Sequence, residues 1–209
     1  MSRPAFPTAS AALLVIDMQR GFADPESHMG RTRGVAPQQA IVARIAEAVA
    51  LCRHCEMPVL WSRQIHLPED VTRARKRLAT HAQKQGFLPC LRGTHETELI
   101  APIAELVDEA RDHVIDKHRA SVFFDTNLST RLRMLGIDTL IIAGCNTEFC
   151  VAHTVRDAYA RDYEIVVLED AVAGIEPRFH ALCLEMFGAY FAEVMPVGEL
   201  AAWIEEPSA

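Results

Sequence analysis

The sequence predicts an α/β fold of three layers, in which a mostly parallel sheet of about six strands lies between helices. The first observation is that short, continuous apolar runs, typical of strands buried on both faces, alternate with segments of helical periodicity. The second is that the chain has 209 residues, half of them apolar and 23% charged, which suits one substantial core. We therefore expect residues 1–209 to form a single domain.

Six apolar runs have the length and composition of buried strands. Each is followed by a segment long enough to hold a helix, which favours parallel pairing because parallel neighbours need a crossover connection. The predicted strands are residues 11–17, 58–63, 113–116, 139–143, 164–168 and 191–195.

The connecting segments show helical spacing of apolar side chains. Ile41 and Ile45 repeat at this spacing after Pro37, which suits a first helical turn, and Gly136 suits the position just after a helix. Between Leu67 and Pro102 the pattern is weaker, and we expect loops and short helices that cover the site. The predicted helices are residues 37–57, 102–110, 127–135, 147–161, 177–187 and a closing helix after Gly198.

Polar and charged residues follow four of the predicted strands. Asp17 ends the first, Arg63 the second, Lys117 follows the third, and Cys150 comes shortly after the fourth. Singly, each has a structural explanation, as a turn residue, an exposed cation or a core thiol. Because ligands bind beyond the carboxyl ends of parallel strands, we expect these four to meet at one edge of the sheet.

The segment after the fourth predicted strand favours a reactive thiol. Gly144 lets the chain turn sharply, and Cys150 then falls in the first turn of a helix beginning near Thr147. There the unpaired N–H groups, the helix dipole and the ammonium of Lys117 are expected to lower the thiol's pKa. The same N–H groups can hold an oxyanion, and Asp17 can move the proton. This pattern predicts an ionised nucleophile.

Three separated motifs resemble the isochorismatase-like family of cysteine hydrolases. Residues 12–22 (ALLVIDMQRGF) look like the family's segment with the catalytic aspartate, and residues 114–127 (VIDKHRASVFFDTN) like its lysine segment. Residues 137–157 (IDTLIIAGCNTEFCVAHTVRD) look like its nucleophile segment, and residues 166–171 (VVLEDA) resemble the strand beyond it. The motifs are most similar to the branch that cleaves ureido and carbamoyl compounds.

This resemblance implies a hydrolase acting on C–N bonds other than peptide bonds, with Asp17, Lys117 and Cys150 as catalytic residues and no cofactor. It also implies a cis peptide bond between Cys145 and Asn146. The backbone N–H groups of Asn146 and Cys150 would form the oxyanion hole. A homodimer or homotetramer acting on a small molecule is the expected assembly.

Nicotinamidases of this family hold a metal with an Asp-x-His motif after the second strand and a further histidine. Here Gln64 stands where the aspartate would be, and an amide is a poor substitute for a carboxylate at a divalent cation. His66 and His81 alone would form a weak site, so we expect no metal. A nicotinamidase- or pyrazinamidase-like amidase remains an alternative, as do a non-hydrolytic thiol redox protein using Cys150 and an idle scaffold.

Candidate substrate-binding residues come from the same motifs. Arg63 and Arg119 could each bind a carboxylate bidentately or form a structural ion pair. Glu148, beside the nucleophile, is expected to face solvent. The candidates are Gln19, Phe22, Arg63, Arg119 and Asn127. Four phenylalanines could line an apolar pocket or belong to the core: Phe22, Phe123, Phe124 and Phe149.

The net charge of −7 makes nucleic acid or an anionic membrane an unexpected partner. The segment 71–95 is a local exception, with six basic residues and no acidic one. It is expected to be either a solvated helix face or a basic flap that draws in an anionic substrate. Its basic residues are Arg73, Arg75, Lys76, Arg77, Lys84 and Arg92.

Cysteine usage and the N-terminus indicate the compartment. No secretory signal or membrane-spanning run is visible, and six cysteines in a chain of this length are typical of reduced thiols in the cytoplasm. Cys52 and Cys55 have the spacing of a metal or redox motif. No second such pair accompanies them, so we expect core packing instead.

Overall fold

A parallel sheet lies at the centre of the computed structural model, which describes residues 4–68, 73 and 77–206. Within those residues its six strands have the order β3-β2-β1-β4-β5-β6, and every neighbouring pair is parallel. The predicted α/β class is therefore confirmed. The strands are β1 (Ala11–Ile16), β2 (Val59–Gln64), β3 (His113–Lys117), β4 (Thr139–Cys145), β5 (Glu164–Ala173) and β6 (Glu193–Met195).

Helices pack on both faces of the sheet. As expected, the segment between β2 and β3 holds only short helices and loops. No helix in the described ranges combines the length and the apolar character that crossing a bilayer requires. In chain order the helices are α1 (Arg20–Ala23), α2 (His28–Arg33), α3 (Ala36–Ala40), α4 (Val42–His54), α5 (His81–Gln85), α6 (Ala101–Ala104), α7 (Leu128–Met134), α8 (Ala152–Tyr159), α9 (Pro177–Tyr190) and α10 (Val197–Glu205).

Two hydrophobic clusters, one on each face, explain why the strand sequences are continuously apolar. Side chains of β1 alternate between them: Leu13 and Val15 pack with α4 and α10, whereas Leu14 and Ile16 pack with α7, α8 and α9. All four are at most 1% exposed. Burying each contributes about 2 kcal/mol to folding, so the central strands are strongly held.

Several element boundaries differ from the predicted ones. The expected helix 37–57 is divided at Ile41 into α3 and α4, which lets Ile41 itself be buried. β5 continues through the polar pair Glu169 and Asp170 as far as Ala173, because the residues after the pair are buried again. Cys52 is fully buried in the core beside the partly buried Cys55, as expected.

A close approach between β1 and β4 fixes the centre of the fold. Gly144 has φ 107°, and a Cβ atom at this position would lie 2.1 Å from the carbonyl oxygen of Ile16. Only glycine fits there. The chain turns toward β2 on one side of this pair and toward β5 on the other, so the crevice typical of a ligand site opens above it.

Replacing Gly144 by alanine is expected to destabilise the protein by at least about 3 kcal/mol, through the left-handed backbone and the clash with Ile16 together. Urea unfolding measures the change. Gly198→Ala is the matched control, since no atom lies within 4 Å of its added Cβ. An unfolding free energy for Gly144→Ala within about 0.5 kcal/mol of wild type would contradict this account.

Candidate active site

The side chain of Lys117, the last residue of β3, joins the predicted catalytic residues. It is fully buried, and its Nζ lies 2.6 Å from Oδ2 of Asp17 and 3.3 Å from Sγ of Cys150. Nζ also donates to Oε1 of Gln64 at 2.8 Å and to the carbonyl of Arg119 at 3.2 Å. The acid, the ammonium and the thiol therefore meet at the carboxyl edge of the sheet.

Asp17 is held in place by the neighbouring strand. It follows β1 with φ 51°, a left-handed conformation that aspartate tolerates better than most residues, and it is fully buried. Its Oδ1 accepts a 2.6 Å hydrogen bond from Oγ of Ser62, and its N–H donates to the carbonyl of Ser62 at 3.2 Å. Ser62, which the sequence analysis did not single out, thus orients one carboxylate oxygen and leaves the other to Lys117.

Cys150 lies in a π-helical turn, Thr147–Val151, rather than in the first turn of an α-helix. The carbonyl of Asn146 accepts hydrogen bonds from the N–H groups of Phe149 (2.9 Å) and Val151 (3.3 Å). The N–H group of Cys150, which lies between them in the sequence, does not bond to this carbonyl. The peptide bond between Cys145 and Asn146 is cis, as the resemblance implied. The wide turn puts the thiol at the floor of a cavity.

The surroundings of the Cys150 thiol favour its neutral form, contrary to the expectation of a lowered pKa. Burial raises the pKa of Cys150 to about 12, with Lys117 opposing the shift and Asp17 adding to it. Burial also lowers the pKa of the Lys117 ammonium, but Asp17 and Cys150 outweigh it, and the net pKa is raised. The expected lowering of the thiol's pKa rested on the ammonium of Lys117 and on a helix terminus. Burial and the adjacent carboxylate of Asp17 both act in the opposite direction.

Gln19 is a structural residue and not a substrate ligand, contrary to expectation. Its Oε1 accepts from the N–H of Gln64 at 2.7 Å, and its Nε2 donates to the carbonyls of Gln64 (3.0 Å) and Thr97 (2.9 Å). Both donors of the carboxamide are used inside the protein, and the fully buried side chain does not line the cavity. Gln19 therefore fixes the end of β2, from which Gln64 reaches Lys117.

Arg63 and Asn127 also lie away from the site. Arg63 makes two hydrogen bonds to Asp116, at 2.8 and 3.1 Å, because alternate residues of a strand point to opposite faces. Ser62 and Gln64, on either side of it, point to the site instead. Asn127 is an exposed residue at the start of α7 and does not line the cavity. Contrary to expectation, neither residue is placed to bind a ligand in the cavity.

The cavity above Cys150 has a volume of about 1030 Å³, more than a small amide fills. Phe22 and Arg119 line it, as expected, together with Phe124 and Phe149, whereas Phe123 belongs to the core. Other polar side chains of the lining include Gln64, His66, Arg73, His81, His118, Asn146 and His153.

Part of the basic segment 71–95 lines the cavity, and part of it is exposed to solvent. Arg73 lines the cavity, and so do residues on both sides of α5, so the segment covers the site. Arg77, Lys84 and Arg92 are exposed. The other two basic residues of the segment, Arg75 and Lys76, lie outside the part of the chain that the structure describes.

Three histidines that line the cavity use the same ring nitrogen to bond to the backbone. Nδ1 of His66 bonds to the carbonyl of Pro89, and Nδ1 of His118 and His153 each bond to a carbonyl at 2.8 Å. A carbonyl can only accept, so each Nδ1 carries the proton, and in the neutral ring Nε2 is an acceptor. Burial lowers the pKa of His66, which favours that neutral form. The cavity can therefore receive N–H groups of a ligand.

Comparisons with known proteins agree with this geometry. The model of the isochorismatase domain matches residues 11–199. The chain belongs to the isochorismatase family. It is 32% identical to the ureidoacrylate amidohydrolase RutB of Methylobacterium radiotolerans, over 98% of this chain and 83% of that protein. It is also 35% identical to a probable inactive nicotinamidase of Arabidopsis thaliana, over 82% of this chain and 84% of that protein.

A solved amidase structure shares the fold. N-carbamoylsarcosine amidase from Thermoplasma acidophilum superposes with a TM-score of 0.71 and 29% identity, over 90% of this chain and 96% of that one. The resemblance found in the sequence is therefore confirmed.

The metal that nicotinamidases of the isochorismatase family hold does not fit these residues. Gln64 is uncharged, and its Oε1 already accepts from Lys117, so the position of the aspartate supplies no anionic ligand. No group of three or more histidine, cysteine or acidic side chains suited to a metal occurs in the part of the chain that the structure describes. No step of the chemistry below depends on a metal.

Glu148 does not face solvent, contrary to expectation. Its Oε1 accepts hydrogen bonds from the N–H groups of Ile175 (2.9 Å) and Glu176 (3.0 Å), at the loop between β5 and α9. A Cβ at Gly174 would lie 2.7 Å from its Oε2. The residue beside the nucleophile therefore fastens the turn of Cys150 to the neighbouring loop.

Asp17→Asn is expected to lower the pKa of the Cys150 thiol, because the carboxylate raises it in the wild type. Removing a negative charge in contact with the site should increase alkylation of Cys150 by iodoacetamide at pH 8 by about tenfold or more. Peptide mass spectrometry follows Cys150 separately from the other five cysteines. Asp116→Asn, on the same sheet edge but paired with Arg63, should leave the rate unchanged; a slower reaction in Asp17→Asn contradicts the assignment.

Proposed function

We propose that this protein is a cysteine-dependent hydrolase that cleaves a C–N bond of a small amide, ureide or N-carbamoyl compound through a thioester intermediate. The observation that carries the proposal is the contact of one buried ammonium, Lys117 Nζ, with both the carboxylate of Asp17 and the thiol of Cys150. The relatives named for ureidoacrylate and N-carbamoylsarcosine support the substrate class.

In the proposed reaction Asp17 accepts the thiol proton while Sγ of Cys150 attacks the substrate carbonyl. The resulting oxyanion is stabilised by the backbone N–H groups of Asn146 and Cys150, and by the charge of Lys117. The tetrahedral intermediate collapses, and ammonia or an amine leaves with the proton from Asp17. Water, deprotonated by Asp17, then attacks the thioester and releases the acid and the thiol.

The raised pKa of Cys150 is compatible with this sequence of steps. Moving the proton from Sγ to Asp17 exchanges a Lys117–carboxylate pair for a Lys117–thiolate pair, so the number of charges in the buried site stays the same. A neutral resting thiol also limits side reactions such as oxidation, which require the thiolate. The thiolate then forms only as the carbonyl is attacked.

The cavity supports a ureido or carbamoyl substrate over a purely apolar amide. With Nδ1 bonded to a backbone carbonyl, Nε2 of His66, His118 and His153 can accept from ureido N–H groups, and the side chains of Arg73 and Arg119 supply positive charge near the same space. The aromatic walls contact the remaining part of a small ligand.

A nicotinamidase-like amidase is the second candidate, because solved nicotinamidases share the fold at about 25% identity, although the more similar relative from Arabidopsis thaliana is named a probable inactive nicotinamidase. Gln64 speaks against the metal-dependent form of that reaction. A thiol redox protein or an idle scaffold would not need the three-way contact of Asp17, Lys117 and Cys150.

The proposal extends to the assembly and the compartment. A homodimer or homotetramer in the cytoplasm is supported by the six unpaired cysteines and by large apolar side chains that are exposed in the chain alone. These include Tyr159, Phe179, Leu182 and Tyr190.

Cys150→Ala is expected to abolish turnover, because it removes the thiol that forms the proposed thioester. An ammonia-release screen over ureides, N-carbamoyl amino acids, biuret and nicotinamide identifies the substrate, and kcat/KM should fall by a factor of about 10⁴ or more. Cys183→Ala, a half-buried thiol on α9, is the matched control and should keep wild-type activity. Wild-type turnover by Cys150→Ala or Cys150→Ser excludes the proposed mechanism.

Chelation is expected to leave the activity unchanged, since the residues around Gln64 do not suit a divalent cation. The measurement is kcat/KM before and after dialysis against EDTA, with and without added Zn²⁺ or Mn²⁺. A loss that added metal restores would favour the nicotinamidase-like alternative.

A further inference from the structure

Asn146 links the nucleophile turn to the cavity. It lies between β4 and the turn that carries Cys150, it is 4% exposed, and it lines the cavity. Its carbonyl accepts from two N–H groups of the turn, as described above. The backbone of Asn146 is therefore fixed locally, and its side chain is fixed by a residue from another part of the chain.

That residue is Gln38, on α3. Its Nε2 donates to Oδ1 of Asn146 at 2.8 Å and to the carbonyl of Gly174 at 3.0 Å. Both partners are acceptors, so the orientation of the Gln38 amide is determined by chemistry: the reverse orientation would put three oxygens against one another. One buried carboxamide thus connects the end of β4 with the end of β5.

The bond from Gln38 also determines the orientation of the Asn146 amide. With Oδ1 used as the acceptor, Nδ2 is the group that remains to donate, and no acceptor for it occurs among the residues that the structure describes. Because Asn146 lines the cavity, a bound ligand can supply that acceptor as an oxygen atom.

Gln38 is a buried polar residue that also contributes to stability. Its side chain is 1% exposed, and its Oε1 is buried without a hydrogen-bond partner in the described structure. An apolar side chain of the same shape would remove that unsatisfied acceptor, but it would leave Oδ1 of Asn146 and the carbonyl of Gly174 without the donor they have now. A loss of stability is therefore expected whatever the role of Gln38, and a change in kcat that depends on Asn146 is what distinguishes a role in orientation.

We propose that Gln38 is a positioning residue for the hydrolytic reaction: it holds the amide of Asn146 so that Nδ2 donates to an oxygen of the bound substrate. This inference depends on the proposed function, because it assigns a residue that acts on the substrate through Asn146. Glu148 supports the same arrangement from the other side, since it bonds to the loop that begins at Gly174.

The first test is a double-mutant cycle of Gln38→Met and Asn146→Ala on a substrate from the ammonia-release screen. Gln38→Met keeps the shape and removes both donors, so kcat should fall by about tenfold or more at a temperature where circular dichroism shows the variant folded, although the two orphaned acceptors lower its melting temperature. The double variant should be no slower than Asn146→Ala alone. Gln39→Met is the matched control: the next residue on α3 bonds to the carbonyl of Ala23, and its loss should leave kcat unchanged.

The second test is Gln38→Glu, which replaces the donors by a carboxylate facing two acceptors. Its kcat relative to wild type should rise as pH falls through the pKa of the new carboxyl group, because the protonated acid can donate to Asn146 again. A ratio of the two kcat values that does not change with pH overturns the inference. So does a wild-type kcat in Gln38→Met, or a double variant whose loss of kcat is the product of the losses in the two single variants. Turnover by Cys150→Ala, in contrast, would remove the proposed function itself.

Discussion

The structure of the site depends on one ammonium buried without access to water. Lys117 has a carboxylate, a thiol, an amide oxygen and a backbone carbonyl around its Nζ, all within 3.3 Å. A buried charge is tolerated only when such partners surround it. The requirement explains the neighbouring residues: Ser62 orients Asp17, and Gln19 holds the strand end from which Gln64 reaches Lys117.

The fold makes this contact possible by placing the ends of four neighbouring strands, β3, β2, β1 and β4, at one edge of the sheet. β1 supplies Asp17, β3 supplies Lys117, and β4 leads into the turn of Cys150, with β2 between the first two. The approach of β1 and β4 requires a residue without a side chain at Gly144. The chemistry is therefore set by the backbone of the sheet, while the walls of the cavity come from loops and short helices that can differ among relatives.

Local patterns sufficed to predict the fold class and the meeting of Asp17, Lys117 and Cys150 at one edge of the sheet, because buried parallel strands are continuously apolar and their carboxyl ends share an edge. The direction of side chains along β2 was not predicted correctly. Alternate residues of a strand point to opposite faces, which places Arg63 on the face opposite to Ser62 and Gln64. The ionisation of Cys150 depends on burial by distant segments. Gln38 precedes Asn146 by 108 residues, and no short-range pattern connects the two.

The sheet order has a further consequence for the integrity of the site. A cut between β3 and β4 would separate the chain into two pieces with three consecutive strands each, and the edge between the pieces would be the β1–β4 pair. Asp17 and Lys117 would remain on the first fragment and Cys150 on the second. Reassembly of the two fragments would then restore a catalytic centre that neither contains, which makes the protein a natural candidate for a split reporter.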